Sequence, residues 1–165
     1  MSGIIHILIG ISNSGKSTVA HEKWLQDPLN TIIVNRDKIR ELIGAFTEQT
    51  IQDWYHLEDI NQLEKMVSDY EDLIIERALE EDKAVIIDAT HLKHKYLKRF
   101  QQYNCDKTIT FFDITLEEAL ERNSKRNRKV SEEIIIKQKQ QYDSIRKTSM
   151  EEITSLVDFG QSFLP

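Results

Sequence analysis

The run Ile4-Ile5-His6-Ile7-Leu8-Ile9, followed by Gly10-Ile11-Ser12-Asn13-Ser14-Gly15-Lys16-Ser17, decides the fold. Its first part is apolar apart from His6 and reads as a buried strand. Its second part has the spacing G-x-x-x-x-G-K-S, and residues 16–25 continue with apolar positions at helical spacing. Strand, glycine-bounded loop and helix, in that order, make a phosphate cradle. The glycines let the backbone curl until successive N–H groups point inward, and the helix N-terminus adds partial positive charge. Lys16 then reaches the outer phosphates, and the Ser17 hydroxyl suits Mg²⁺. An accidental match is rare in a chain this long, and the flanking strand and helix make it rarer.

The 165 residues suit one domain, spanning 1–165, with enough chain to bury a full core. A charged fraction of 30% beside an apolar fraction of 39% is a globular balance, not a disordered one. The formal charge of −6 argues against a general basic face that coats duplex DNA, but it leaves room for a local basic channel. The single cysteine, Cys105, excludes an internal disulfide, and no Cys/His cluster has metal-ligand spacing, which fits a reducing cytoplasm. The N-terminal apolar run is too short for a signal peptide, and no stretch approaches the length of a membrane span. A cytoplasmic protein with no membrane partner is expected.

Further along, Asp27-Pro28-Leu29-Asn30 reads as a turn, and Thr31-Ile32-Ile33-Val34 as a β-branched strand ending at Asn35-Arg36-Asp37. A short helix follows over 38–43. Apolar residues Ile60, Leu63, Met66, Val67, Tyr70, Leu73, Ile74 and Leu79 recur at threes and fours, which predicts a long amphipathic helix over 56–82 with a solvated acidic face. Residues 84–87 form a third strand, closed by Asp88-Ala89-Thr90. A basic helix over 93–103, a fourth strand over 108–114 and helices over 115–125 and 131–145 complete the pattern. The tail, 151–165, has room for one short helix. Strands alternating with helices, each strand a continuous apolar run, indicate an α/β fold of the P-loop NTPase type. A parallel β-sheet is flanked by helices on both faces, with a small helical lid over about 122–131.

In such sheets ligands bind beyond the carboxyl ends of the strands, so the residues that close the strands matter most. Asp88 is positioned to hold Mg²⁺; the alternative is a cap on Thr90-His91. Thr90 and His91 stand on the same loop, where substrate contact and a plain turn role are equally open. Asp37 is positioned to accept a proton from an attacking hydroxyl, or else to cap the following helix. Arg40, three residues on, shares its face and can pair with it or orient a phosphate-bearing substrate. Arg122 and Arg126, four apart on one predicted helix, head a basic stretch with Lys125, Arg128 and Lys129. That stretch is either a solvated charge run or a lid that supplies an arginine to the transferring phosphoryl group. The protein-kinase tripeptide Asp158-Phe159-Gly160 lacks its usual companions and is a chance match. The guanine-reading N-K-x-D pattern does not occur.

With these residues in view, the chain resembles the kinase domain of the phage-type 5′-hydroxyl polynucleotide kinases. The loop from Gly10 to Thr18, including Ser12, Asn13, Ser14 and Thr18, looks like theirs. Asn35-Arg36-Asp37 with Arg40 is similar to their N-R-D-x-x-R segment, and Arg122-Asn123-Ser124-Lys125-Arg126 to their lid. The resemblance implies Asp37 as general base and Arg40 at the acceptor. It also implies Arg122 on the nucleotide, Arg126 on the transferred phosphate and Val130 packing on the substrate base. His91 stands where many relatives carry Asn, and Ser131 replaces a common Pro. No D-x-D-G-T phosphatase motif occurs, so 3′-phosphatase activity is not expected.

The resulting expectation is an ATP- and Mg²⁺-dependent kinase acting on the 5′-hydroxyl end of DNA or RNA, with a homo-oligomer as a possible state. In that reading Lys16, Asp37 and Arg126 carry the catalysis. Two other readings stand beside it: a small-metabolite or nucleoside kinase of the same fold, and a non-catalytic NTP-binding module.

Overall fold

A computed structural model describes residues 3–47 and 60–158 of the chain. The order of elements is β1 (Ile4–Ile9), α1 (Lys16–Gln26), β2 (Thr31–Val34), α2 (Arg36–Thr47), α3 (Ile60–Glu80), β3 (Ala84–Asp88) and α4 (His94–Lys98). After these come a 3₁₀ turn (Arg99–Gln102), β4 (Asp106–Phe111), α5 (Leu116–Ser124), α6 (Glu132–Ile145) and α7 (Met150–Ser155). The four strands form one sheet in the order β2-β3-β1-β4, and every pairing is parallel. β1 therefore lies inside the sheet. The loop after it emerges between the ends of β3 and β4.

Alternate residues of a strand face opposite sides, and here the two sides are unequally thick. Ile5, Ile7 and Ile9 join Val34, Val85 and Ile87 in the larger core, which takes Val67, Ile75 and Leu79 from α3 and Ile135, Tyr142 and Ile145 from α6. Leu8, Ile33 and Ile86 point the other way, onto Ala20 of α1 and Phe112. Continuous apolar runs in β1 and β3 are what such a two-sided sheet requires.

Several boundaries differ from the sequence reading. β4 runs over Asp106–Phe111 and not 108–114, because its pairing starts at Ile4↔Asp106 and ends at Ile9↔Phe111, where β1 itself ends. The predicted basic helix over 93–103 is one short α-helix followed by the 3₁₀ turn. α2 is longer than 38–43, starting at Arg36 and running to Thr47. Residues 56–59 of the predicted long helix, and Phe159 and Gly160 of the chance tripeptide, lie outside the described residues.

The acidic face of α3 is not simply solvated. Glu71 is buried, and its Oε2 accepts from Arg36 Nη1 at 2.5 Å and from Arg99 Nη1 at 2.6 Å. Glu64 accepts from Arg36 and Arg40, while Asp72 accepts from Arg99 and the Tyr103 hydroxyl. The expected apolar positions Ile60, Leu63, Val67, Ile74 and Leu79 do meet the core, but the buried seam of α3 also carries Glu71, and Met66, Tyr70 and Leu73 are left on the exposed side. A carboxylate fully removed from water is tolerated only when paired and hydrogen-bonded, and two guanidiniums meet that demand here. Glu71→Ala is expected to cost about 3 kcal/mol in urea unfolding, the low end for breaking a buried pair. The low end applies because Arg36 keeps Glu64 and Arg99 keeps Asp72.

Candidate active site

The phosphate loop is shaped by its two glycines. A Cβ on Gly10 would lie 2.7 Å from Ser14 Oγ and 2.9 Å from Phe112 Cβ, so no larger residue fits. Gly15 has φ +95° and Asn13 φ 67°, left-handed conformations that glycine adopts freely and asparagine tolerates. The Gly10 amide donates to the Thr90 carbonyl (3.2 Å) and the Ser12 amide to Gln138 Oε1 (2.8 Å), tying the loop to the turn after β3 and to α6. Thr18 lies exposed in the first turn of α1.

Lys16 is buried beneath this loop, its Nζ donating to the Ile11 carbonyl (2.7 Å) and to Ser14 Oγ (3.3 Å). Burial pushes its pKa down to about 8; the Asp88 carboxylate opposes the shift and Arg126 adds to it. Asp88, closing β3, accepts from Ser17 Oγ (2.7 Å) and from Asn35 Nδ2 (2.8 Å) on the same oxygen. Its carboxylate is engaged with these two side chains, not with a cap on the turn that follows.

Asn35 is a residue that sequence reasoning missed. Its Oδ1 accepts from the Lys38 amide (3.1 Å), which makes it the side-chain cap of α2, while its Nδ2 holds Asp88. The capping role weighed for Asp37 is thereby filled by Asn35. An Asn two positions before an Asp at a strand end is the signal that could have revealed this. Asp37 stands half-exposed in the first turn of α2, its Oδ1 accepting from Arg40 Nη1 at 2.8 Å and its Oδ2 lying 3.6 Å from Arg128 Nη2. Arg40 is oriented further by Glu64, which accepts from its Nε (2.7 Å) and Nη2 (2.9 Å). Arg128 also approaches Glu41, at 3.7 Å.

Arg122 and Arg126 do not share a helix. α5 ends at Ser124, and Arg126 lies beyond it, with its amide bonded to the Asn123 carbonyl. Both guanidiniums nevertheless converge on Asn13 of the phosphate loop. Arg126 Nη1 donates to Asn13 Oδ1 (2.7 Å) and Arg122 Nη1 to the Asn13 carbonyl (3.2 Å), while Glu118 accepts from Arg122 Nη2 (2.5 Å). Val130 packs at the edge of the larger core. His91, by contrast, is turned inward: it is buried at φ 50°, its Nδ1 bonded to the Leu8 carbonyl (3.1 Å) and its ring set edge-on to Phe100. Burial lowers its pKa, which favours the neutral ring. In this placement its side chain packs inward against Phe100.

A parallel sheet with a glycine-bounded phosphate loop after its interior strand defines a kinase-like P-loop NTPase domain. The chain belongs to the AAA domain family, whose model matches residues 5–145. A chain of the Pnkp1/Rnl/Hen1 RNA repair complex is 23% identical with a TM-score of 0.69, over 88% of this chain and 46% of that one. Against two structures of that complex, the chain spans less than half the length of the chains it matches. A gluconokinase from Sinorhizobium meliloti 1021 is 13% identical (TM-score 0.55, 94% of this chain, 87% of that one). A deoxyadenosine kinase from M. mycoides is 17% identical (TM-score 0.52, 94% and 86%). At these identities the likeness is one of fold. No curated protein matches the sequence. No helix among the described residues is long and apolar enough to cross a membrane.

The depressed pKa of Lys16 has a signed consequence. Below about pH 8 the ammonium is charged in both folded and unfolded chains, and its burial cost is constant. Between about 8 and 10.5 the unfolded chain keeps a proton that the folded one sheds, so the contribution of Lys16 to ligand-free stability rises with pH across that window. Cys105, Tyr103 and Tyr142, raised by burial, pull the other way, so the rise is expected in the difference between wild-type and Lys16→Met urea-unfolding free energies. Nucleotide phosphates favour the charged form, so calorimetry is expected to show ATP affinity falling as pH climbs through about 8.

Proposed function

We propose that the protein transfers the γ-phosphate of ATP to the 5′-hydroxyl end of a polynucleotide, with Asp37 as the general base. The observation that carries this reading is the setting of Asp37. Its carboxylate is not spent on capping, and the guanidiniums of Arg40 and Arg128 flank it on its two oxygens. A base with cations on both sides suits an acceptor that bears a phosphate close to its hydroxyl, because planar guanidiniums recognise phosphate bidentately. A nucleotide at a chain end has such a phosphate on its 3′ side, whereas a nucleoside or a simple sugar has none. The fold likeness to a chain of an RNA repair complex supports the same acceptor class. The N-R-D-x-x-R and R-N-S-K-R segments support a phage-type kinase.

In this reading Lys16 and the loop amides other than those of Gly10 and Ser12, which are engaged within the protein, hold the β- and γ-phosphates, with Thr18 and Arg122 beside the nucleotide. Ser17 and Asp88 would hold Mg²⁺. They fit it, as two hard oxygens already 2.7 Å apart at the phosphate loop, and Mg²⁺ commonly takes one or two protein ligands plus phosphates and water. Bound there, the ion neutralises charge on the phosphate oxygens. Asp37 takes the proton of the 5′-hydroxyl. The 5′-oxygen forms its bond to the γ-phosphorus as the bond from that phosphorus to the β–γ bridging oxygen breaks, and ADP leaves. Arg126, on the non-helical loop over 125–131 between α5 and α6, which acts as a lid, stabilises the charge on the transferring group. Arg40 and Arg128 hold the acceptor's phosphate, with Val130 and Thr90 beside its first base.

A nucleoside or metabolite kinase is the second reading. The gluconokinase and deoxyadenosine kinase chains are matched over 87% and 86% of their length, far more than the repair-complex chains, and this favours it. Labelled ATP with a panel of acceptors separates the two. Transfer is expected to a 5′-hydroxyl oligonucleotide and to a nucleoside 3′-monophosphate; transfer to a nucleoside or to gluconate alone would overturn the proposal. Asp37→Asn is expected to lower kcat by roughly 10²- to 10⁴-fold while ATP still binds. Arg128→Ala is expected to raise KM for the oligonucleotide by about tenfold, the scale of one charge-assisted contact. The KM for ATP should stay unchanged.

A further inference from the structure

The loop that carries Arg126 is gripped at both ends by one buried side chain. Asn123, in the last turn of α5, is 4% exposed. Its Nδ2 donates to the Val130 carbonyl at 2.8 Å and its Oδ1 accepts from the Val130 amide at 3.0 Å. The carboxamide therefore pairs with the backbone of residue 130 much as a neighbouring strand would, and closes the loop over residues 124–129 at its base. The same Oδ1 accepts from Asn13 Nδ2 (3.3 Å), which also donates to the Ala119 carbonyl (3.3 Å). The other end of the Asn13 carboxamide receives Arg126 Nη1 at 2.7 Å. The path Val130–Asn123–Asn13–Arg126 is thus one continuous chain of hydrogen bonds from the root of the basic loop, through the phosphate loop, to the guanidinium at the loop's middle.

Left to itself this loop would spread. Lys125, Arg126, Arg128 and Lys129 place four cations in five consecutive positions with no acid among them. Residues 124–129 contain no apolar side chain to pin them to the core. Only a group with a donor and an acceptor side by side can hold both the amide and the carbonyl of one residue, and asparagine is the smallest side chain that has them. Aspartate in its place would set an oxygen against the Val130 carbonyl. Alanine would leave both backbone groups of Val130 without this partner.

We propose that Asn123 is a positioning residue for phosphoryl transfer: it holds the basic loop shut and hooks it to Asn13, so that Arg126 is presented to the γ-phosphate at a fixed place. This rests on the role given to Arg126 above and is indifferent to the acceptor. Asn123 touches no reacting atom and acts through Arg126.

The test is a double-mutant cycle in the full chain, with Asn123→Asp and Asn123→Ala each made alone and together with Arg126→Ala. The readouts are kcat and KM for ATP with the best acceptor of the panel, and for ATP hydrolysis to water. Each Asn123 variant is expected to lower kcat about 10- to 100-fold, the scale for a displaced catalytic group. KM for ATP should stay within about threefold. In the Arg126→Ala background the same changes are expected to cost less than about twofold, because the group they position is gone. Trypsin, which cuts after Lys and Arg, should nick the loop over 125–129 about tenfold faster once it opens locally. Losses that multiply in the double variant, or unchanged kcat with only a lower melting temperature, would make Asn123 merely structural and end the proposal. If Asn123→Ala fails to fold, the near-isosteric Asn123→Asp carries the cycle. Absence of transfer to any polynucleotide sinks the preceding reading but not this one, because hydrolysis to water still runs the cycle. A wild-type protein that cleaves ATP neither onto a hydroxyl nor onto water sinks both.

Discussion

An ammonium group buried under a turn of backbone is the constraint on which this molecule depends. Among the described residues, the Ile11 carbonyl and the Ser14 hydroxyl replace the water of Lys16, with Asp88 as the opposing charge. Such a group is unstable by itself and persists because both faces of the sheet fix the loop above it. Ile11 is buried in the larger core, Gly10 is wedged against Phe112, and α1 presses Ala20 onto the opposite face. The two cores and the tight glycine contact together hold a charge in readiness for a ligand of opposite sign. Stability is given up at one place so that binding can recover it.

The rest of the site is organised by shared acceptors. A single oxygen of Asp88 receives the Ser17 hydroxyl and the Asn35 carboxamide, so α1, β3 and the cap of α2 meet at one atom. Behind α2, the carboxylates of α3 alternate with arginines. Asp37, Arg40, Glu64, Arg36, Glu71, Arg99 and Asp72 follow one another as a row of opposite charges running from the site into the interior. A network of this kind fixes side-chain direction more than it adds stability, since each buried pair must first repay the loss of hydration. Its effect at the site is to set Arg40 firmly beside Asp37.

What could be read from the residues follows the range of the forces involved. The four strands, the phosphate loop and the order of elements are visible because apolar periodicity and glycine spacing are local properties, and Ile4–Ile9 with Gly10–Ser17 contains them entirely. Asp37, Asp88, Arg40 and Arg126 stood out because strand ends and charge runs are also local. The carboxylate seam of α3 was hidden, because a Glu at a core position looks like surface until the arginines of two other elements arrive there. Asn35 and Asn123 were hidden for a related reason: an asparagine has no charge or periodicity to mark it, and its partners lie on other elements. The inward turn of His91 depends on Phe100 and the Leu8 carbonyl, neither of them near it in sequence.

Strand order has a temporal side as well. β1 precedes its partners β3 and β4 in the chain by a wide margin, with Ile4 aligned to Ala84 on one side and to Asp106 on the other. A chain emerging from the ribosome would carry this apolar strand unpaired until β3, about eighty residues later, had followed it. Pairings so distant in sequence are slow to form, because the intervening chain must be closed before any contact rewards it. The phosphate loop hangs from that strand, so the nucleotide site takes shape only after β3 and β4 have joined β1. A nucleotide can therefore reward folding only once these distant pairings are made.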